Sequence, residues 1–168
     1  MEDREVIYAA YGSNLLKERF LVYIEGGNFM GGQYNGCNDK TEPVDLGWMW
    51  VPHRLYFAKQ SPRWGYKGVA FLSYDREVNP EYYSVVRLWK IKESQFYCIV
   101  SQEGGWYNKF LDLGEKEGIT VKTFTGCWEN ELYDPSEDYL SLIKRGLKET
   151  TGWTDEKIDN YIGKFLKT

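Results

Sequence analysis

Hydrophobic positions along this chain follow two different periods. Residues 5–11 carry a β-branched and aromatic run, Val6, Ile7 and Tyr8, with no proline or aspartate to break it, and read as a strand. Beyond Gly12 the spacing changes. Leu16, Phe20, Tyr23 and Ile24 stand at i, i+4, i+7 and i+8, the stripe of a helix that starts near Asn14, with Ser13 or Asn14 as a natural N-cap. A second helical stripe, Phe96, Ile99 and Val100, falls in residues 92–102, and Gly104-Gly105 supplies its stop. Strands are predicted at 54–58, 68–74, 83–91 and 119–125. Two helices close the chain, one with Tyr139, Leu142, Ile143 and Leu147 as its stripe, the other with Ile158, Tyr161, Ile162 and Phe165 after Thr154 as N-cap. Residues 25–47 follow neither period and are longer than an ordinary connection, which predicts a functional or mobile segment. No repeat, low-complexity tract or linker divides the chain, so one domain over residues 1–168 is expected. Periodicity supports the class α+β and nothing finer.

Two short stretches carry candidate chemistry. In Tyr8-Ala-Ala-Tyr-Gly-Ser-Asn-Leu15 a strand passes through a glycine turn into a helix start. The first amides of a helix lack intrahelical partners and carry the positive end of its dipole, so this turn can hold a carboxylate or a developing oxyanion. It can equally be an ordinary capped turn. It is not a nucleotide loop, since the GxxxxGK[ST] spacing is missing. In Ser101-Gln-Glu-Gly-Gly-Trp-Tyr107, Glu103 falls at +7, +4 and +3 from Phe96, Ile99 and Val100, on the inward face of its helix. A glutamate there is unusual unless it is paired, and the negative end of the dipole disfavours its anion further. Both effects raise its pKa toward the range useful for proton transfer. The competing reading is a glutamate that reaches solvent at a fraying end or pairs with a nearby cation.

Taken in order, these stretches resemble the γ-glutamylcyclotransferase family, including γ-glutamylamine cyclotransferases and avirulence-induced proteins. The Tyr-Gly-Ser-Asn-Leu run, Tyr11 to Leu15, is similar to its N-terminal signature, and Glu103 before Gly104 is similar to its catalytic glutamate. Lys67 to Leu72, Val85 to Ile91 and Pro135 to Tyr139 resemble further segments in the same order. The resemblance implies a small mixed β-barrel flanked by helices. It also implies an enzyme that releases 5-oxoproline from a γ-glutamyl amino acid, peptide or amine, with Glu103 as general acid and base. Tyr11, Gly12, Ser13, Asn14, Leu15, Tyr107 and Tyr139 would bind the substrate, with no metal or cofactor. The alternative is a binding or interaction module on the same fold without turnover. Residues 26–50 have no clear counterpart in the family pattern, and Phe124 stands where some relatives place a tyrosine, which leaves the leaving amine open.

Composition changes this picture little. The chain has 168 residues, a net charge of -4 and no clustered Lys and Arg, so a nucleic-acid partner is not expected. The Met-Glu-Asp-Arg-Glu start and the lack of a long apolar run predict neither a signal peptide nor a membrane partner, and a cytoplasmic location. Oligomeric state is not legible. Cys37, Cys98 and Cys127 are widely spaced and signal neither a disulfide framework nor a zinc site. His53, the single histidine, reads as a structural or surface residue because nothing places a nucleophile beside it.

Overall fold

The computed structural model describes residues 2–167. Its main elements, in chain order, are β1 (Glu5–Ala10), a 3-10 turn (Ser13–Leu15), α1 (Lys17–Glu25), β2 (Gly27–Phe29), β3 (Gly32–Tyr34), β4 (Val44–Val51), β5 (Leu55–Ser61), β6 (Lys67–Leu72), β7 (Ser84–Lys92), α2 (Glu93–Glu103), β8 (Lys109–Lys116), β9 (Ile119–Thr125), α3 (Glu137–Thr151) and α4 (Asp155–Gly163). Five strands form one sheet in the order β4-β7-β1-β9-β8. Its pairs are antiparallel except β1 with β9, which makes the sheet mixed. β1 is central and buried from Val6 to Ala10, which is why its residues read as a near-continuous apolar run.

The β5–β6 hairpin lies outside that ladder, and two hydroxyls tie it to the sheet. The Thr125 Oγ1 on β9 donates to the Leu72 carbonyl at 2.6 Å and accepts from its N–H at 2.9 Å. The Ser84 Oγ on β7 donates to the His53 carbonyl at 2.7 Å and accepts from the Leu55 N–H at 2.9 Å. These side chains satisfy buried backbone groups where ladder bonds would otherwise run. Sheet and hairpin thereby close into a small mixed barrel around Trp89, Phe71 and Phe96, flanked by the four α-helices.

Several expectations are met and others corrected. β9 has its predicted bounds, and β5, β6, β7 and α2 lie within a few residues of theirs. Ser136 and Thr154 cap α3 and α4, each accepting at 3.2 Å from an amide three residues on. Neither Ser13 nor Asn14 caps α1. That helix starts at Lys17 with Leu16 at its N-cap and no side-chain cap bond, because Asn14 is turned into the interior. Residues 25–47 are not irregular throughout: they hold the short β2–β3 hairpin and the start of β4, whose alternation is broken by a register shift between Asp45 and Trp48. β8, rich in Lys, Asp and Glu at the sheet edge, also escaped the hydrophobic pattern.

The cysteine expectation is overturned. Cys37 and Cys98 form a disulfide across a sequence separation of 61, and Cys127 is free. Spacing could not signal the pair, because it is made by the segment after β3 folding against α2. His53 is buried with its Nδ1 2.9 Å from the Ser73 carbonyl, a structural placement as expected.

Candidate active site

The turn after β1 is pinned from beneath by β7. The Trp89 indole N–H donates to the Asn14 carbonyl at 3.2 Å, and Arg87 Nη1 donates to the Leu15 carbonyl at 2.8 Å. Arg87 is itself held by Asp45 at 2.7 Å and Glu149 at 2.6 Å. Glu149 also accepts the Lys17 amide at 2.9 Å. From the other side α3 presses Gly146 onto the turn so closely that an added Cβ would meet the Leu16 nitrogen at 2.6 Å. Backbone geometry at residues 12–16 is therefore set by three elements distant in sequence.

Held this way, Asn14 is 3% exposed and points its amide inward. Its Nδ2 donates to the Tyr8 hydroxyl at 3.1 Å and, more weakly, to Glu103 Oε1 at 3.4 Å, while its Oδ1 is buried without a partner. Glu103 arrives from α2, whose inward face buries Phe96 and Ile99, and Gly104 ends the helix at a φ of 97° that favours glycine. Glu103 thus faces inward, and the fold brings it against the turn.

A narrow inner recess of about 20 Å³ opens between them, with room for about one water-sized group. An outer chamber of about 180 Å³ lies beyond it. Both touch Ser13, Glu103, Tyr107 and Tyr139, so the carboxyl stands at their junction. Glu103 keeps partial solvent access as a residue, yet burial of its carboxyl pushes the pKa above the ordinary glutamate value, against the lowering effects of Arg19, Tyr23 and Asn14. The surrounding Tyr8, Tyr11, Tyr107 and Tyr139 hydroxyls are also pushed up by burial, and so remain neutral.

The remaining residues expected at the site sort by what their atoms touch. Tyr11, Gly12 and Ser13 line the recess, and the Tyr11 hydroxyl donates to the Phe124 carbonyl at 2.7 Å. The Tyr107 hydroxyl donates to the Ala70 carbonyl at 2.9 Å, and the Tyr139 hydroxyl accepts from the Ala70 N–H at 3.0 Å. These two tyrosines grip β6 as well as lining the recess. Leu15 does not belong to the lining. It is 1% exposed in the core, and its amide donates to the Gly12 carbonyl at 3.1 Å. Phe124 does line the recess, stacked on Tyr8 with ring centroids 5.4 Å apart.

Sequence reasoning passed over Tyr8, Arg19 and Tyr23. Arg19 is 3% exposed and, with Tyr23, lines the outer chamber. The signal was present: Arg19 sits between Leu16 and Phe20 and four residues before Tyr23, on the inward face of α1. The argument used for Glu103, that a charge among apolar stripe positions demands a partner, applies to it equally.

No protein-family model matches the chain. Among curated proteins it is similar to Histone deacetylase 5 of Arabidopsis thaliana, 29% identical over 203 aligned positions that cover 95% of this chain and 30% of that protein. The chain thus spans under a third of that relative. Among solved structures it is similar to a γ-glutamyl cyclotransferase, with a TM-score of 0.68 and 22% identity, covering 95% of this chain and 87% of the other. An uncharacterized human protein matches with a TM-score of 0.68 and 22% identity over 92% and 86% of the two chains. YkqA of Bacillus subtilis matches with a TM-score of 0.62 and 17% identity over 98% and 56%. The chain has the γ-glutamyl cyclotransferase fold.

Proposed function

We propose that this chain is a cyclotransferase that releases 5-oxoproline from a γ-glutamyl amino acid, peptide or amine. The observation that carries the reading is the junction itself: a buried carboxyl with raised proton affinity, Glu103, facing residues 11–14 across a recess and lining a larger chamber as well. A γ-glutamyl group holds its own nucleophile, since its α-amine can reach its γ-carbonyl. Attack forms the C–N bond of a five-membered lactam and a tetrahedral oxyanion. Collapse of that intermediate breaks the original C–N bond and expels the attached amine. Well-oriented intramolecular attack enjoys effective molarities of about 10⁵ to 10⁸ M, so the protein needs mainly to fold the substrate and manage one proton and one developing charge.

Glu103 fits the proton's route. In its ionised form it takes the proton from the attacking nitrogen, and as the acid it returns that proton to the leaving nitrogen, ending in the state it began. A raised pKa makes the acid form easier to reach for the return of the proton, while Arg19, Tyr23 and Asn14 act in favour of the ionised form. In this reading the inner recess, walled by Tyr11, Gly12, Ser13, Asn14, Tyr107 and Tyr139, takes one small group, the carboxylate or the oxyanion, against the backbone of residues 12–14, and the outer chamber takes the rest of the folded glutamyl moiety. The route calls for no cofactor. Among the described residues no helix is long and apolar enough to cross a membrane, and no three His, Cys, Asp or Glu side chains cluster as a metal site would. A cytoplasmic setting and a single-domain organisation go with this proposal, checked by fractionation and by limited proteolysis.

The test is a mass-spectrometric screen of γ-glutamyl dipeptides, glutathione and γ-glutamyl amines for 5-oxoproline, run on the unaltered protein and on Glu103→Gln. Product with the first and none with the second supports the assignment. A protein that binds these compounds without ever releasing the lactam is a binding module, and full turnover in Glu103→Gln removes the glutamate from the mechanism.

A further inference from the structure

Among the described residues the outer chamber is lined by two cations, Arg19 and Arg63, and one acid, Glu103. The arginine ion pairs of the described residues are those of Arg4, Arg87 and Arg145, so neither chamber cation has a carboxylate within ion-pair distance. Arg19 is the buried one, 3% exposed. Its Nη2 donates to the Tyr23 hydroxyl at 2.9 Å, whereas Nε and Nη1 have no hydrogen-bond partner. The guanidinium lies over the rings of Tyr23 and Tyr34, each centroid 4.8 Å away, and over Phe29 at 5.2 Å and Trp64 at 5.9 Å. Those rings offset part of the lost hydration but leave the charge uncompensated.

Arg63 is exposed, so the chamber reaches the surface beside it. Its guanidinium is nevertheless held in place. Nη2 donates to the Phe29 carbonyl at 2.9 Å and the Met30 carbonyl at 3.2 Å, and the central carbon lies 4.4 Å from the Trp64 ring centroid. Gly32 leaves it room, since an added Cβ there would meet the Arg63 Nε at 3.0 Å. Among the described residues Nη1 makes no hydrogen bond, which leaves donors to spare. A guanidinium fixed in this way suits a planar anion, and little freedom remains to be lost when one binds. Tyr34, Trp64 and Trp106 line the same chamber and offer apolar faces to whatever is attached to that anion.

We propose that the outer chamber receives the leaving group and selects one that carries a carboxylate, with Arg63 as the specificity-determining contact and Arg19 as a second positive charge behind it. This rests on the reading of the cleft as a cyclotransferase site, and within that reading it chooses γ-glutamyl amino acids and peptides over γ-glutamyl amines. The inner recess has room for one small group, so whatever lies beyond the scissile nitrogen at Glu103 has the chamber to occupy. A carboxylate there meets a cation that the protein itself leaves unpaired. A neutral alkyl group forgoes that contact, and a cationic one is set against two guanidinium groups.

The experiment compares γ-glutamyl-L-alanine with γ-glutamyl ethylamide, which differ by the leaving group's carboxylate alone, and with the cationic γ-glutamyl derivative of 1,4-diaminobutane. Rates are measured for wild type, Arg63→Gln and Arg63→Lys. Wild type should show a kcat/KM about ten-fold higher for the alanine compound than for the ethylamide, the worth of one hydrogen bond to a charged group, and the lowest value for the diaminobutane compound. That preference should fall to within about two-fold in Arg63→Gln, survive in part in Arg63→Lys, and shrink at about 0.5 M salt, where screening acts within a few ångströms. A wild type without the preference overturns the proposal, as does a preference left intact in Arg63→Gln. An equal loss on both compounds overturns it too, because it would set Arg63 against the glutamyl carboxylate that both share. Calorimetric titration of the same pair into Glu103→Gln and Glu103→Gln/Arg63→Gln reads the subsite without turnover. An affinity gap that depends on Arg63, in a protein that never releases 5-oxoproline, supports the subsite while overturning the cyclotransferase reading. Should Arg63→Gln fail to fold, the wild-type preference and its salt dependence decide.

Discussion

Replacing Glu103 by glutamine separates the stability of the fold from the chemistry of the cleft. Burial raises the pKa of this carboxyl, and the help it receives from Arg19, Tyr23 and Asn14 does not fully compensate. The folded protein therefore binds the Glu103 proton more tightly than the unfolded chain does. Between the ordinary carboxylate range and the raised folded value the native state holds more protons, so this group's contribution to stability falls as pH rises through that window. Each unit of the rise is worth about 1.4 kcal/mol. Glutamine keeps the shape and removes the ionisation, and its amide oxygen can still accept from Asn14 Nδ2. Glu103→Gln should accordingly be the more stable protein at pH 7, with the advantage shrinking toward zero below about pH 4, where the wild-type acid is protonated in both states. Denaturant unfolding of both proteins from pH 4 to pH 8 measures this difference directly. The same substitution should slow lactam release by about 10²- to 10⁴-fold, a barrier increase of roughly 3 to 5 kcal/mol. A stability difference that does not change with pH, or that favours the wild type more strongly as pH rises, would refute the account of a desolvated acid.

Three further outcomes are expected. Alanine in a helix interior is ordinarily better than glycine by about 1 kcal/mol, but in Gly146→Ala the new Cβ would sit 2.6 Å from the Leu16 nitrogen and 2.7 Å from the Leu15 carbonyl carbon, and overpacking costs about 1–3 kcal/mol. The variant should be less stable in thermal denaturation and less active, and a stabilised Gly146→Ala would show that α3 does not bear on the turn. Tyr139→Phe leaves the buried Ala70 N–H without its acceptor, a loss of about 1–3 kcal/mol seen as a lower denaturation midpoint; an unchanged midpoint would show that the phenol does not anchor β6. Reducing the Cys37–Cys98 bridge, or making Cys37→Ser, releases a loop closed across a separation of 61 residues, for which chain entropy predicts roughly 4 kcal/mol, and a Tm unaffected by reductant would contradict it.

The sequence carried the barrel strands and the acid because both announce themselves locally. β1, β6 and β7 are largely buried strands that read as mostly apolar runs, β9 alternates with β-branched residues, and Glu103 breaks an apolar stripe whose period is set by the α-helix. β4 and β8 were missed because their sheet-edge positions leave half their side chains in water and blur the alternation. Arg19 carried the same kind of signal as Glu103, but a guanidinium can also snorkel to solvent, so its position on the stripe gains meaning only once the aromatic cage around it is seen.

What the chain determined by itself is the set of local segments and the chemistry mounted on them: a strand ending in Tyr-Gly-Ser-Asn, and a helix ending in a glutamate before two glycines. What tertiary structure alone decided is which atoms of those segments face each other. The Asn14 amide could have capped a helix, and instead it turns toward Tyr8 and Glu103 while Trp89 holds its carbonyl and Arg87 that of Leu15. Cys37 finds Cys98 by the same kind of long-range closure. Periodicity reports only which side of an element avoids water. The partner a polar group meets on that side is supplied by residues tens of positions away, and the need to satisfy every buried donor, acceptor and charge selects it.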